Sequence, residues 1–361
     1  MFTIGLLLSI PSSAAYSQES APAGARLTKL GADLQQTLSA IIKARSPGLS
    51  PSASIGVVVA DAASGSLLFE HNGDKPFVAA SNAKIVTAAA ALALLGPDFR
   101  FRTELLAEPI LPNGHIAGDL YIRGRGNPAF GPTDMARLVQ GLKALGVQKI
   151  DGGIIVDNSY FDEANLPPHF EVQPDEHASF RAPIAATSYA FNAFTLVVRP
   201  ALSGQGPARI QVSPPNGLVK VSSTITTIAR GRSRIKMDTQ FEASQIIVAL
   251  SGQVRKEVRR RRFRKRVTDP VTFVGTGLGR ALSDAGISVR KAGIKTGTAP
   301  LTATQLAVHE SSPLAVMVRG MGKYSNNFVA ELLLKVIGAE TLAKGTPATW
   351  SHGLQAVSSF L

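Results

Sequence analysis

The chain has no cysteine and a single tryptophan among 361 residues, and aromatic side chains make up only 6% of it. Without cysteine it has no thiol nucleophile, no zinc-thiolate site and no disulfide, although a chain of this length buries enough core to be stable outside the cell without covalent staples. The six histidines, His71, His115, His169, His177, His309 and His352, are scattered. They form neither the close pair of a His-Glu-x-x-His zinc site nor a pattern that marks a His-based triad. No apolar run approaches the roughly 20 residues that cross a bilayer. A serine enzyme built on this chain therefore needs a base other than histidine, and no metal or organic cofactor is implied.

What is present is globular in character: 45% hydrophobic and 17% charged residues, enough for two or three domains. The net charge of +13 is concentrated in one place. Between Arg255 and Arg266 there are nine basic residues and one glutamate. This run lacks interleaved aromatics beyond Phe263 and any nucleic-acid-binding motif, so no nucleic-acid partner is expected. It reads as a solvated basic strand or loop, and an anionic membrane surface is the partner it suits. At the other end, Ile4-Gly5-Leu6-Leu7-Leu8-Ser9-Ile10 followed by Pro11-Ser12-Ser13-Ala14-Ala15 reads as a secretory signal over residues 1–20, with no Lys or Arg before it.

Residues 27–44 carry apolar side chains at helical spacing, and Ser54 to Glu70 reads as a strand, a turn at Ala62-Ala63-Ser64-Gly65, and a returning strand. Short strand-like runs then alternate with turns from Arg102 to about Thr268. Asp269-Pro270 opens a helix predicted to end at Asp284, and helical sequence resumes over 327–338 and again over 350–361.

Two short motifs carry chemistry. Ser81-Asn82-Ala83-Lys84 places a hydroxyl and an amine one helical turn apart at the start of an Ala-rich segment that stops at Gly96-Pro97. The positive end of such a helix favours both an alkoxide and a lowered lysine pKa. Taken alone, the pattern reads first as a capping serine and a solvated lysine. Ser325-Asn326-Asn327 precedes an apolar helix, and a hydroxyl and an amide two residues apart there can both face a cleft. An N-cap serine beside a turn asparagine would look the same.

With their flanks, the motifs resemble a known family. Ala80 to Thr103, Gly118 to Pro128, Val156-Asp157-Asn158-Ser159-Tyr160-Phe161, Thr187-Ser188-Tyr189-Ala190-Phe191-Asn192, Arg266 to Pro270 and Lys323 to Glu331 are similar to the D-alanyl-D-alanine carboxypeptidase/endopeptidase family, the class C low-molecular-mass penicillin-binding proteins. The 241 residues between Lys84 and Ser325 fit the β-rich insertion of that family better than a class A β-lactamase.

The resemblance implies an α+β fold: a β-lactamase/transpeptidase-like catalytic domain, helices around an antiparallel sheet, formed by 25–103 and 268–361, with a β-rich insert over 104–267. It implies an exported enzyme of the periplasm or cell envelope that acts on peptidoglycan stem peptides and is acylated by β-lactams. Ser81 would be the nucleophile, Lys84 its base, Ser325 a proton relay and Asn327 a substrate-binding residue. The family's Lys-Thr-Gly motif lies downstream of Ser-x-Asn. Here Lys295-Thr296-Gly297 spells it upstream, where it reads as a strand and turn and is a lesser substrate-binding candidate. The remaining strands of the central sheet are expected beyond Leu361, so the chain as given is expected to be a truncated form, with an inactive homologue or a non-enzymatic envelope-binding protein as the alternative.

Overall fold

The computed structural model describes residues 23–45, 54–168, 170, 176–242, 245–291 and 293–361, and these divide into two units between Ala83 and Lys84. The segment read as a secretory signal lies outside the described residues.

In the first unit, helix α1 (Ala23–Arg45) packs on β2 (Leu67–His71), which pairs antiparallel with β1 (Val57–Ala60). Gly31 permits the close approach, since a Cβ there would sit 3.3 Å from the Leu68 carbonyl oxygen. Asp61 builds the hairpin turn by accepting hydrogen bonds from the backbone N–H of Ala63 and Ser64, the local role for which aspartate is favoured in turns.

The second unit begins within helix α2 (Ala83–Leu95), which ends at Gly96 in the left-handed conformation. There follow β3 (Arg102–Ala107), β4 (His115–Ile116), β5 (Leu120–Gly124), helix α3 (Pro132–Ala144), β6 (Lys149–Ile150) and β7 (Ile154–Asp157). Next come β8 (Ala193–Arg199), β9 (Gly206–Pro207), β10 (Arg209–Ser213), β11 (Val219–Ser223), β12 (Thr226–Ile228), β13 (Arg234–Phe241), β14 (Ile246–Arg255) and β15 (Arg261–Arg266). The chain continues through α4 (Pro270–Asp284), β16 (Ser288–Val289), β17 (Ile294–Thr296), β18 (Thr304–Glu310), α5 (Leu314–Tyr324), α6 (Asn327–Gly338) and α7 (Trp350–Phe360).

The mixed α+β class expected from the sequence is what the chain adopts. A five-stranded sheet has the order β17-β7-β5-β3-β18, with β5, β7 and β17 parallel and β3 antiparallel to its neighbours. A second sheet runs β11-β14-β12-β9 with β13 on β14, and β10-β8-β15 form an antiparallel three-stranded sheet. Both edges of the β7-β5-β3 group are closed by strands from 294–310, β17 on β7 and β18 on β3.

The buried apolar side chains form two clusters. One, around Leu105, Ile122, Phe194, Val248 and Phe273, belongs to the strand-rich part, and α3 and α4 cover it. The other joins Ala90, Ala91 and Phe101 to Ile184, Leu314, Phe328, Leu332, Val336 and Trp350. Nine of the twelve residues of α6 are buried, and seven of them belong to this second cluster. The helix packs on α7 through two glycines: a Cβ on Gly338 would lie 2.6 Å from the Gly353 nitrogen, and one on Gly353 would lie 2.2 Å from the Leu334 carbonyl oxygen.

Three segments that carry the resemblance meet at a strained turn. Ala190, Phe191 and Asn192 are all left-handed, at φ 50°, 62° and 46°, a conformation that costs an L-residue about 1–2 kcal/mol. Asn192, fully buried, holds the turn: its Oδ1 accepts from the Tyr189 N–H at 3.0 Å, while its Nδ2 donates to the Pro183 carbonyl at 2.9 Å and to the Ser188 hydroxyl at 3.0 Å. Upstream, Thr187 Oγ1 accepts from the Gly124 N–H and donates to the Asp157 carbonyl, each at 2.7 Å, and Asn158 Oδ1 accepts from the Thr187 N–H. Replacing Asn192 by alanine should therefore lower unfolding stability by about 3 kcal/mol in denaturant melts, because it unpairs buried groups and keeps the strained angle. Asn192→Gly, which accepts φ 46°, should recover part of that loss.

Candidate active site

Ser81 lies in the middle of a single 3-10 turn, Ala80–Asn82, entered through Ala80 at φ 46°. The expected N-cap role of Ser81 is not what the backbone shows. The residue preceding the turn is Ala79, which makes no side-chain capping bond, and the Asn82 N–H reaches the Ala79 carbonyl at 2.9 Å. The turn runs directly into α2, and the Ala83 N–H reaches back to the carbonyls of Ala80 and Ser81. Ser81 is exposed. A left-handed alanine immediately before a candidate nucleophile is the kind of backbone strain that accumulates at functional sites.

Lys84, in the first turn of α2, is half-buried. Burial pushes its ammonium down from the usual lysine range, and the charge of Glu331 opposes that shift. Glu331 stands on α6, and burial pushes its carboxyl up to about 7 against the opposing charges of Lys84 and Arg181. Its Oε2 is enclosed with no hydrogen-bond partner. The two groups form an electrostatic pair in which neither is in its ordinary state. When Glu331 carries a proton, Lys84 loses its compensating anion and releases its own proton more readily.

The placement of Glu331 follows from the helix. Asn327, Glu331 and Lys335 are spaced i, i+4 and i+8 and line one stripe of α6. A Glu and a Lys at that spacing ordinarily attract each other, yet Lys335 is engaged elsewhere. It is completely buried, donates to Asp162 Oδ1 and to the Ala164 carbonyl at 2.8 Å, and lies over the rings of Phe161 and Trp350 at 5.3 and 5.0 Å. Glu331 is left to face Lys84 and Arg181.

The Ser325-Asn326-Asn327 turn joins α5 to α6. Ser325 ends α5 in the left-handed region at φ 50°, exposed to solvent, and the Asn326 N–H reaches the Met321 carbonyl at 3.1 Å. Asn326, not Ser325, caps α6: its side-chain oxygen accepts from the Val329 N–H at 3.3 Å. Asn327, the first residue of α6, is half-buried one turn before Glu331.

Beside this turn the strained segment 190–192 presents Phe191. Its ring meets Phe328 edge-on at 5.9 Å, and the Arg264 guanidinium lies 4.9 Å from its centroid. Neither Glu331 nor Phe191 was singled out from the sequence. The i, i+4 relation to Asn327 was the available signal for Glu331; nothing local marks Phe191.

Lys295, Thr296 and Gly297 stand elsewhere. Lys295 and Thr296 lie exposed on β17, the edge strand paired with Ile155 and Val156, and the Gly297 N–H continues that pairing to the Val156 carbonyl at 3.2 Å. Thr296 and Gly297 border a cavity of about 680 Å³ together with Asn158, Phe161, Asp162, Thr268 and Asp269, and none of Lys84, Ser325 and Asn327 lines it. Among the described residues, no group of His, Asp or Glu side chains is arranged to hold a metal ion.

The fold is that of a penicillin-binding protein. The chain superposes on penicillin-binding protein 4 (dacB) from Haemophilus influenzae with a TM-score of 0.69 and 22% identity, covering 88% of this chain and 69% of that one. Its β-lactam complex gives a TM-score of 0.63 at 21% identity over 88% and 68% of the two chains. In sequence the chain is 31% identical over 347 residues to a D-alanyl-D-alanine carboxypeptidase of Actinomadura sp. (strain R39), covering 94% of this chain and 62% of the relative. It is 24% identical over 315 residues to the D-alanyl-D-alanine carboxypeptidase DacB of Haemophilus influenzae, covering 85% and 63%. It thus spans somewhat more than three-fifths of the length of these relatives. Residues 34–361 match the D-Ala-D-Ala carboxypeptidase 3 (S13) family, and the chain belongs to that family.

A carboxyl raised from 4.5 to about 7 adds its stability fully below pH 4.5 and loses it as the pH rises through 7. Glu331→Gln should remove that dependence. Urea melts between pH 4.5 and 8 are expected to show the variant gaining on the parent protein as the pH rises, by on the order of 3 kcal/mol at the upper end.

Proposed function

We propose that this chain carries the chemistry of a serine-type D-Ala-D-Ala carboxypeptidase acting on peptidoglycan stem peptides, with endopeptidase action on D-alanyl cross-links as a second use of the same site. The observation that carries the reading is Lys84, a half-buried lysine with a depressed pKa three residues after a serine, in a chain of the S13 family. The relatives named above supply the substrate class, and the β-lactam complex of the Haemophilus influenzae protein supplies the inhibitor class.

In this reading Ser81 Oγ attacks the carbonyl carbon of the terminal D-Ala-D-Ala bond while neutral Lys84 takes the hydroxyl proton. The tetrahedral intermediate collapses with cleavage of the C–N bond. The proton passes through Ser325 to the departing amine, and D-alanine leaves. Water then attacks the Ser81 ester and returns the proton to the serine. Asn327 holds a peptide carbonyl of the substrate and keeps Lys84 in place. A β-lactam acylates Ser81 by the same first step, but its amine stays tethered after ring opening. Lys295, Thr296 and Gly297 are the lesser substrate-binding candidates, and no step of this reading is assigned to them. The catalytic part comprises 25–103 and 268–361 with the β-rich insert 104–267 between them, and the protein works in the periplasm or cell envelope, where its substrate is.

A fluorescent penicillin should label the protein, and Ser81→Ala should abolish labelling. Lys84→Met should slow acylation by about 10²–10⁴-fold, the usual contribution of a general base. The acylation rate should rise with pH as Lys84 loses its proton, with a midpoint below the ordinary lysine value, and Glu331→Gln should move that rise to lower pH by removing the anion that holds the proton on Lys84. Failure to label Ser81 at any pH would favour the non-enzymatic envelope-binding alternative.

A further inference from the structure

The basic run is not a uniform tail. Pairing of β15 with β8, and of β8 with β10, sets the cations in rows across a sheet. Arg264, Thr195 and Ser213 form one row, and Arg262, Val197 and Gln211 the next. Arg209 stands opposite Arg199, and Arg260, one residue before β15, continues that row. The opposite face carries Phe194, Leu196 and Val198, which are buried in the core of the strand-rich part. Strand alternation therefore fixes the outward direction of the arginines.

None of the three strands contains an acidic residue. Repulsion is evident within it, because the charges of Arg262, Arg259 and Arg199 pull Arg260 below the usual arginine range. The next row on this face, Arg266 with Ala193, is covered over. Arg266 is buried, with its guanidinium 5.1 Å from the Phe170 ring centroid. Arg264 is steadied by Phe191 at its inner side. A hollow of about 280 Å³ on the face is lined by Thr195, Val197, Ser213, Arg262 and Arg264, two guanidiniums and two hydroxyls, which is phosphate-binding chemistry.

We infer that this outer sheet face is a docking surface for an anionic phospholipid bilayer. The cations are spread over a sheet, roughly 5 Å apart across strands and 7 Å along them, and do not line a groove that would track a single polymer. In the turn just beyond Arg199, Leu202 is 86% exposed, an apolar side chain beside the cations that can enter the headgroup layer. None of this depends on Ser81 or Lys84.

The test is sedimentation of the full chain with phosphatidylcholine vesicles, with and without about one third phosphatidylglycerol, at low and high salt. Binding should require phosphatidylglycerol and disappear at high salt. The triple variant Arg209→Gln, Arg260→Gln, Arg262→Gln should weaken it by about fivefold per arginine, about a hundredfold in all. A control triple of exposed cations away from these strands, Arg137→Gln, Arg280→Gln, Lys291→Gln, should bind like the parent protein. Should the first triple fail to fold, Arg262→Gln alone carries the test with a fivefold loss. Equal losses in both triples, equal binding to pure phosphatidylcholine, or tighter binding to a soluble glycerol-phosphate polymer or single-stranded DNA at the same phosphate concentration would overturn the inference.

Discussion

Helix α6 is enclosed on nearly every side, and the candidate site depends on that enclosure. Six of its large apolar side chains, Phe328, Val329, Leu332, Leu333, Val336 and Ile337, are buried. At about 2 kcal/mol for each, their transfer from water contributes on the order of 10 kcal/mol before entropy is counted. Keeping one carboxyl in the same helix away from full hydration costs far less, about 3 kcal/mol for a shift of that size. Packing therefore wins, and Glu331 is held where it cannot ionise normally. The helix cannot rotate to hydrate it without exposing Phe328 or Leu332. The lysine that would ordinarily balance it at i+4 is already committed to Asp162 and to two aromatic rings. What remains is an acid facing Lys84 and Arg181, and a lysine whose own burial loosens its proton while the Glu331 charge opposes that loss.

Backbone strain recurs beside the candidate residues. Ala80 precedes the candidate nucleophile, Ser325 precedes the Asn326 cap, and the Ala190-Phe191-Asn192 turn sits behind Phe328, all with positive φ. At Asn192 three side-chain bonds hold the strained conformation. Several segments that carry the family likeness are thus scaffold. Thr187, Asp157, Asn158 and Gly124 exchange hydrogen bonds that position the turn, and a Cβ on Gly124 would meet the Ala186 carbonyl oxygen at 2.3 Å. Their chemistry is structural, and the reactive side chains are few.

Much of this was legible in the sequence, and the failures have physical causes. Helix α4 was readable because Asp269 caps it and Pro270 fills its first position, both local signals that the structure retains. The β1–β2 hairpin and α7 were readable for the same reason. Helix α3 was absorbed into a run of strands, although Pro132 and the Asp134 carboxylate, which accepts from the Gly131 N–H at 3.0 Å, mark its start. Helix α5 is rich in valine and glycine, poor helix formers, and is held by tertiary bonds such as the Leu314 N–H to the Phe99 carbonyl at 2.8 Å. That β17 and β18 close the two edges of the β7-β5-β3 group depends on pairings between strands far apart in the chain, which periodicity does not report. Serine, lysine and asparagine motifs were visible as spacings. Glu331 was not, because its significance arises from burial and from a partner on another helix.

The central claim is that Lys84 and Glu331 are electrostatically coupled across the buried stripe of α6. The most direct measurement is the carbon-detected NMR titration of the Glu331 carboxyl in the parent protein and in Lys84→Met. The account predicts a midpoint near 7 in the parent and a higher one in the variant, since Lys84 holds the value down. A midpoint near the ordinary 4.5 in both proteins would contradict it.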